Sequence, residues 1–443
     1  AGIMRIEIND NPVRWFKSSH PIRVADDVLN DHFAGTYDAV VVLTHEDEEA
    51  LPRFTAIATQ MLADVDDLTA APIREALAAD SADTGAWYGD IIGVVDDALF
   101  EATDDASIEA LENLLFSAEE AQVAAKYFQR PDALHYISDI QVALSESGYV
   151  GKSNTVADVV KVVNRELRGG DDADYRIPGS VSAVAQTLMQ YQSSHRPHDL
   201  WHIVTPDFSS TVVWLQMKSG DNQDMSQVID FLDDWIADNP LPASVDVHWA
   251  GKTYINVVWQ DVMVSGMLNS LLGAFAVVFL MMTMLFRSWR IGLIAMVPLT
   301  VTILGVYGII GWIGKDYDMP IAVLSSLTLG LSVDFAIHFI ERTRAFLRRS
   351  GSFEETTRLI FEEPARAIAR NAIVIAIGFT PLFFAPLVPY ITVGAFMAAI
   401  MALSGVTTLI LLPAIMSWAG PWLFPEMTER GVFVATDAQV VTG

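Results

Sequence analysis

Apolar residues dominate the second part of the chain in five long runs, separated by short polar segments. The runs cover residues 262–286, 291–313, 320–340, 372–388 and 391–418. Each reaches or nearly reaches the roughly 20 residues that an α-helix needs to cross a bilayer. The pattern therefore predicts a transmembrane bundle of five helices over residues 261–420, followed by a cytoplasmic tail over residues 421–443.

Residues 1–260 have the mixed pattern of a folded domain outside the bilayer. β-branched or alternating segments predict strands at residues 37–44, 210–218 and 245–250, and apolar positions at helical spacing predict helices at residues 51–67 and 224–239. An alanine-rich, acidic stretch over about residues 71–168 predicts a helical insertion. The predicted fold class is thus an α-helical membrane protein that carries an α+β sandwich of the βαββαβ type, interrupted by this insertion.

The charge of the two parts differs sharply. Residues 1–260 contain 43 acidic and 16 basic side chains, whereas residues 261–443 contain 12 and 11. A domain this negative does not bind nucleic acid by neutralising phosphates. The chain has no cysteine, which excludes disulfides, thiolate catalysis and cysteine-ligated metals. No nucleophile–base arrangement stands out in residues 1–260, so we expect neither an enzyme nor a bound metal or other cofactor.

Basic residues set the expected orientation of the bundle. Arg287 and Arg290 follow the first apolar run, and seven arginines lie between the third and fourth runs, whereas the opposite loops carry only Lys315. Because basic loops stay in the cytoplasm, we expect a multi-pass protein of the cytoplasmic membrane with residues 1–260 outside and the C-terminus inside. Export of such a domain needs a preceding signal, so we expect a further helix, or a further half, ahead of residue 1.

The third apolar run contains two ionisable residues, Asp334 and His338. On a helix, Gly330, Asp334, His338 and Glu341 fall on one narrow stripe. An aspartate near the middle of a bilayer costs roughly 2.5–3.5 kcal/mol on insertion scales, and a chain tolerates it where it faces a bundle interior or a water path. The stripe therefore indicates a proton relay or an ion site. An aspartate that only hydrogen-bonds a neighbouring helix is the alternative.

Three neighbouring residues have more general expected roles. Gly330 lacks a side chain and allows another helix to approach closely. Arg342 and Arg344 are expected to mark the cytoplasmic interface, with their long side chains extending out of the apolar layer toward water.

The string GLSVDFAIHF at residues 330–339 resembles the Gly-x-x-x-Asp-Tyr/Phe element of the resistance–nodulation–division transporter superfamily. Supporting strings lie at residues 249–268 and 286–335, and residues 9–33 are similar to the segment that follows the seventh helix of such proteins. The likeness is greatest to the branch with MMPL and sterol-sensing-type membrane domains, which includes predicted lipid and hopanoid exporters.

The resemblance implies a role for each residue of this element. Asp334 stands at the proton-relay carboxylate of the family, Gly330 at the motif glycine, and Phe335 at the aromatic position that is often tyrosine. Gly330 and Phe335 are expected to serve in helix packing beside the relay. His338 matches the extension of the motif. We expect His338 to adjust the proton affinity of Asp334 or to pass the proton on.

In this family two similar halves each have one helix, a large extracytoplasmic loop and five more helices. The resemblance therefore implies that this chain is the second half of a transporter, with residues 1–260 as its porter domain. The implied partners are a first half with its own relay aspartate, protons, membrane lipids and a lipid or other hydrophobic substrate; a homo-oligomer is left open.

The implied function is export driven by the proton-motive force. A non-transporting sterol-sensing or scaffold protein is the alternative, and proton-dependent substrate flux separates the two. An intramembrane aspartyl protease is a poorer fit, because it needs two facing aspartates and only Asp334 lies within an apolar run.

Overall fold

The computed structural model describes residues 5–425, apart from residues 7, 10, 48, 80–83 and 242–243 and the side chains of residues 325–328. Its contacts divide the chain into two compact units. The sheet unit comprises the described residues of 28–220 and 224–255. The membrane unit comprises the described residues of 1–27, 221–223 and 256–443.

The helices and strands follow one another along the chain as follows: α1 (Pro21–His32), β1 (Tyr37–His45), α2 (Ala50–Met61), α3 (Asp67–Ala78), α4 (Thr84–Glu101), α5 (Asp105–Ala125), α6 (Pro131–Glu146), β2 (Val150–Asn154), α7 (Val156–Leu167), α8 (Val181–Gln192), β3 (Ser210–Met217), α9 (Asn222–Asp238), β4 (Val245–Ala250), α10 (Lys252–Phe286), α11 (Trp289–Ile313), α12 (Met319–Ser350), α13 (Phe353–Glu362), α14 (Pro364–Gly378) and α15 (Val388–Leu423).

The sheet unit is built on four antiparallel strands in the order β2-β3-β1-β4. In the central pair, Tyr37 of β1 lies opposite Met217 of β3. Val, Leu and Thr fill both strands, because β-branched and apolar side chains pack well on a pleated surface. The strands predicted at residues 37–44, 210–218 and 245–250 are therefore present as β1, β3 and β4.

The edge strand β2 lies inside the stretch for which the sequence predicts helix. It pairs with β3 from Val150 to Asn154, and the register shifts between Val150 and Lys152. Its sequence, VGKSN, has neither an alternating pattern nor a β-branched run. Pairing with β3 fixes this segment as a strand, so tertiary contacts override its local propensity.

Helices α2 to α5 form a hydrophobic core of their own within the sheet unit. Phe54 of α2 meets Trp87 and Tyr88 of α4 edge to face, with ring centroids 5.9 and 5.1 Å apart. Ile91 and Leu111 are fully buried in the same core. Each such side chain contributes about 1.5–3 kcal/mol when it leaves water, so these helices hold a fixed arrangement.

Among the described residues, five helical segments are long and apolar enough to cross a membrane. They are α10, α11, α12, the segment Phe353–Phe384 that contains α13 and α14, and α15. Their shared core includes Met282, Phe339 and Leu412, each almost inaccessible to solvent. The predicted fold class, a five-helix membrane bundle plus an α+β domain, is confirmed.

The observed helices extend beyond several of the predicted runs. α10 begins at Lys252 rather than at residue 262, and α12 continues past residue 340 to Ser350. The last turns of α12 are polar, but arginine and leucine favour helix as strongly as other good helix formers. Hydropathy therefore marks the membrane-compatible part of these helices and not their ends.

The fourth and fifth spans also differ from the prediction. The fourth lies in a segment that ends at Phe384 rather than at residue 388. Within it, Pro364 starts α14, because proline is well suited to the first turn of a helix but not to its interior. α15 ends at Leu423, so the predicted tail begins inside this helix; residues 426–443 lie outside the described residues.

Candidate functional site

α12 has one face that packs against other membrane helices. Val333, Phe335 and Phe339 on this face have 1–2% of their surface exposed and belong to the core of the bundle. α12 as a whole packs mainly against α15 and also against α13 and α11. The aromatic residue of the GLSVDF string is therefore a packing residue that fixes the rotation of α12.

The opposite face of α12 is uncovered and carries the predicted site. Gly330, Asp334 and His338 are all exposed, and Glu341 and Arg342 continue the same exposed stripe. Residues spaced four apart lie above one another on a helix, which brings the Asp334 and His338 side chains to one side. The described helices of this chain do not enclose Asp334, so a bundle interior or a water path around it would have to be completed by something beyond them.

Gly330 makes no close contact with another described helix. A Cβ atom added to it would have no described heavy atom within 4 Å. The close approach expected at Gly330 is therefore absent from the described chain. A close approach of two helices occurs instead at Gly405 of α15, where an added Cβ atom would lie 2.7 Å from the Cβ of Ala372 on α14.

Other exposed faces of the membrane unit are apolar. On α10, Val262, Leu272 and Met284 expose 66%, 61% and 78% of their surfaces. Such faces match the hydrocarbon chains of lipids, whereas an ionised carboxylate is among the most costly groups in that environment. The face with Asp334 and His338 therefore needs protein or water beside it.

A set of buried hydroxyl groups lies among α11, α12 and α15. Thr302 and Thr407 share a hydrogen bond of 2.8 Å, and the Ser404 hydroxyl donates to the backbone oxygen of Ser332 at 3.3 Å. In the described part of the chain, the Ser332 hydroxyl has no hydrogen-bond partner. Single serines and threonines inside apolar runs leave no periodic signal, so the sequence does not predict this cluster. Its hydrogen bonds link α11 to α15 and α15 to α12.

Arginines bind the ends of two membrane helices. The Arg344 guanidinium donates to the backbone oxygen of Phe286, the last residue of α10, at 3.3 Å. The Arg290 guanidinium donates to the backbone oxygen of Trp422, near the end of α15, at 2.9 Å. Cations stabilise helix C-termini, where the carbonyl groups lack partners. Arg344 therefore joins α10 to α12 in addition to its predicted interfacial role, whereas Arg342 is exposed.

Charged side chains gather before the first turn of α12. Arg14 forms an ion pair with Asp221, and a second guanidinium nitrogen lies 3.7 Å from Asp316. Lys315 pairs with Asp318 at 2.6 Å, and Asp318 caps α12. These contacts join the N-terminal segment to the loop between α11 and α12.

Asp316 gives a prediction about stability. Burial raises its pKa above the usual value, although the nearby Lys315 and Arg14 act in the opposite direction. Because the pKa is higher in the folded than in the unfolded state, the stabilising contribution exists at low pH and is lost as the pH rises through the folded pKa. At pH 7 the ionised carboxylate is unfavourable, so we predict that Asp316→Asn raises the Tm at pH 7.

Asp318 supplies the matched control in the same loop. It is 7% exposed and pairs with Lys315, so Asp318→Asn is expected to lower the Tm. Tryptophan fluorescence during heating, with the protein in a neutral detergent, measures both variants. The rise in Tm caused by Asp316→Asn should become smaller as the pH falls toward 4. A Tm below that of the wild type for this variant at pH 7 would contradict the conclusion that the ionised Asp316 carboxylate destabilises the fold.

The exposed face of α12 carries two groups that can exchange protons. Asp334 and His338 can each accept and release a proton, and the helix holds them one turn apart. In the described ranges, no group of three or more histidine, aspartate or glutamate side chains could hold a metal ion. Protonation and deprotonation are therefore within the chemistry of this pair of side chains.

Comparison with known proteins gives a family for the membrane part of the chain. Residues 202–435, more than half of the chain, match the MMPL family, which confirms the predicted resemblance. A protein of Methanocaldococcus jannaschii, whose name describes only a presumed membrane protein, is 22% identical over 268 residues. The match covers 60% of this chain and 66% of that relative, which is just under two thirds of its length.

Proposed function

Because this chain belongs to the MMPL family, we propose that it is part of an exporter driven by the proton-motive force. The cargo is a lipid or another hydrophobic molecule, moved across or out of the cytoplasmic membrane. In this proposal Asp334 accepts the proton and His338, one turn along α12, exchanges protons with it.

The observation that carries this proposal is the ionisable face of α12. Asp334 and His338 are exposed on a helix whose other face is packed into an apolar core. A group of this kind is retained in a membrane protein where protons or ions pass. The exposed residues of α10 differ from this face because they are apolar, so they can contact lipid directly and need no protein or water beside them.

Protonation supplies the driving step. It removes the charge of Asp334 and with it the cost of keeping that charge away from water, so helix packing at this face has two states. A proton that crosses the full membrane potential gains about 2.3 kcal/mol per 100 mV. That free energy is available to shift α12 relative to whatever covers its exposed face.

A second membrane domain is the proposed covering. It is either a homologous half with its own relay aspartate or another copy of this chain, and the polar face of α12 would lie at the contact. The arginines after α10 and after α12 support an orientation with these loops in the cytoplasm and residues 1–260 outside.

Proton flux in reconstituted vesicles tests the proposal. The natural full-length protein is inserted into vesicles that contain a pH-sensitive dye, and a pH gradient and a membrane potential are imposed. We expect flux above that of protein-free vesicles, with further flux when a membrane-lipid analogue is supplied as cargo. A folded protein that moves no protons under either condition would contradict the proposal and favour a scaffold role.

A further inference from the structure

The sheet unit contains a cleft of about 800 Å³ that lies outside the proposed relay. Its walls come from the end of β1, from α2, from the start of α4, from the end of α5 and from the turn before β3. Sites for small organic molecules span roughly 300–1,000 Å³. The cleft is therefore large enough for an organic ligand.

One wall of the cleft is apolar. Leu51, Phe54 and Ile57 of α2 and Tyr88 of α4 contribute to it. Phe54 and Tyr88 are 6% and 1% exposed and pack edge to face, so the surface behind the cleft is fixed. Ile57 is 42% exposed and is available to a ligand. An apolar body gains free energy by covering such a surface.

The rim of the cleft is acidic. Glu46, Asp47, Glu120 and Asp207 line it, and Arg53 is the one arginine or lysine that lines it among the described residues. A guanidinium nitrogen of Arg53 lies 3.4 Å from a carboxylate oxygen of Asp47, and this ion pair neutralises the charge of Asp47. Three carboxylates therefore remain uncompensated within the cleft. Low-dielectric walls concentrate the potential of such groups, which attracts cations and repels anions.

The pKa values of Asp207 and His45 are both lowered, so that near pH 7 the aspartate carries a negative charge and the histidine carries no positive one. Burial alone would raise the pKa of Asp207, but hydrogen bonds from Thr205 and Ser209 outweigh burial and lower it. Burial lowers the pKa of His45, whose ring stacks on Tyr127 with centroids 4.4 Å apart. Asp207 is therefore ionised and His45 is neutral, so neither reduces the negative charge.

The arrangement fits an organic cation better than a metal ion. The described residues include no set of three His, Asp or Glu side chains that could coordinate a metal. The carboxylates are instead distributed around an apolar wall. We propose that this cleft binds an organic cation with an apolar body. As a binding site it is independent of proton coupling; as a substrate class for export it rests on the proposed function.

Equilibrium dialysis with radiolabelled tetraphenylphosphonium tests the site in the full chain, held in a neutral detergent, with empty micelles as the blank. Tetraphenylborate has the same shape and the opposite charge. We expect saturable binding of the phosphonium at one site per chain and none of the borate. The double variant Glu46→Gln/Glu120→Gln should weaken phosphonium binding about tenfold or more.

A matched double variant separates the cleft from the general acidity of the domain. Asp233→Asn/Asp234→Asn removes two exposed carboxylates of α9 that do not line the cleft, and it should bind like the wild type. Ile57→Ser should weaken binding without changing the charge. Equal losses in both double variants, or wild-type binding by Glu46→Gln/Glu120→Gln, would overturn the inference.

Failure of this site and failure of the proposed function give different results. Asp334→Asn should bind the phosphonium like the wild type, because Asp334 does not line the cleft. Proton flux without phosphonium binding would overturn only the cleft. Phosphonium binding without proton flux would overturn only the proposed function.

Discussion

Replacing Asp334 by asparagine is expected to lower proton flux through the reconstituted protein by about a hundredfold or more. Proton transfer by a positioned side chain contributes a factor of about 10² to 10⁴, and asparagine has the shape of aspartate without an exchangeable carboxyl proton. The Asp334 side chain is exposed rather than packed into the core, so the variant should fold with a Tm close to that of the wild type. Dye-reported flux in vesicles is the measurement.

Three variants on the same helix sharpen this test. Asp334→Glu keeps a carboxyl group and should retain part of the flux. Glu341→Gln removes a carboxylate from the same exposed stripe, just beyond the predicted span of residues 320–340, and should leave the flux unchanged. His338→Asn should reduce the flux if the imidazole passes the proton. Wild-type flux in Asp334→Asn would exclude this residue as the relay.

Replacing Gly151 by alanine is expected to destabilise the sheet unit by at least about 3 kcal/mol, at the upper end of single-residue effects. Gly151 lies at the register shift in β2, and a Cβ atom there would overlap the backbone carbonyl group of Ala34. The atoms of Ala34 that it would meet belong to the backbone, so they cannot turn away as a flexible side chain can. The backbone must therefore move, which disturbs the pairing of β2 with β3.

Gly93 gives a matched control in the same unit. It lies inside α4, is exposed, and has open space where a Cβ atom would stand. Gly93→Ala should therefore leave stability unchanged or raise it by up to about 1 kcal/mol, as expected inside a helix. Denaturant unfolding followed by tryptophan fluorescence compares the two variants. Equal midpoints for Gly151→Ala and the wild type would show that β2 accommodates a side chain.

Hydropathy predicted the five membrane helices because a bilayer imposes a length and a composition that appear in a single sequence. Local pattern likewise predicted β1, β3 and β4, which are apolar or β-branched. β2 could not be predicted, because its five residues become a strand only through pairing with β3. The ends of α10 and α12 escaped prediction because a helix continues into polar sequence without a hydropathy signal.

The candidate site was only partly predictable for a related reason. The spacing of Gly330, Asp334 and His338 places them on one face of a helix whatever the rest of the chain does. Which way that face points depends on how α12 packs against α11 and α15, and a periodic pattern does not contain this information. The binding of Arg344 to the end of α10 is likewise a contact between distant segments. The acidic cleft combines five separate segments and leaves no motif.

Proton coupling requires that the uncovered face of α12 be shielded from lipid in the assembled protein. Residues 1–443 contain no cysteine, so once any cysteine outside them is replaced by serine, single cysteines carrying a nitroxide can be placed at Leu331 on this face and at Val277 on the apolar face of α10. Electron paramagnetic resonance then measures access to oxygen, which concentrates in hydrocarbon, and to a water-soluble nickel chelate. We predict less oxygen access at Leu331→Cys than at Val277→Cys in the natural full-length protein; equal oxygen access, with no access to the chelate, would contradict proton coupling through Asp334.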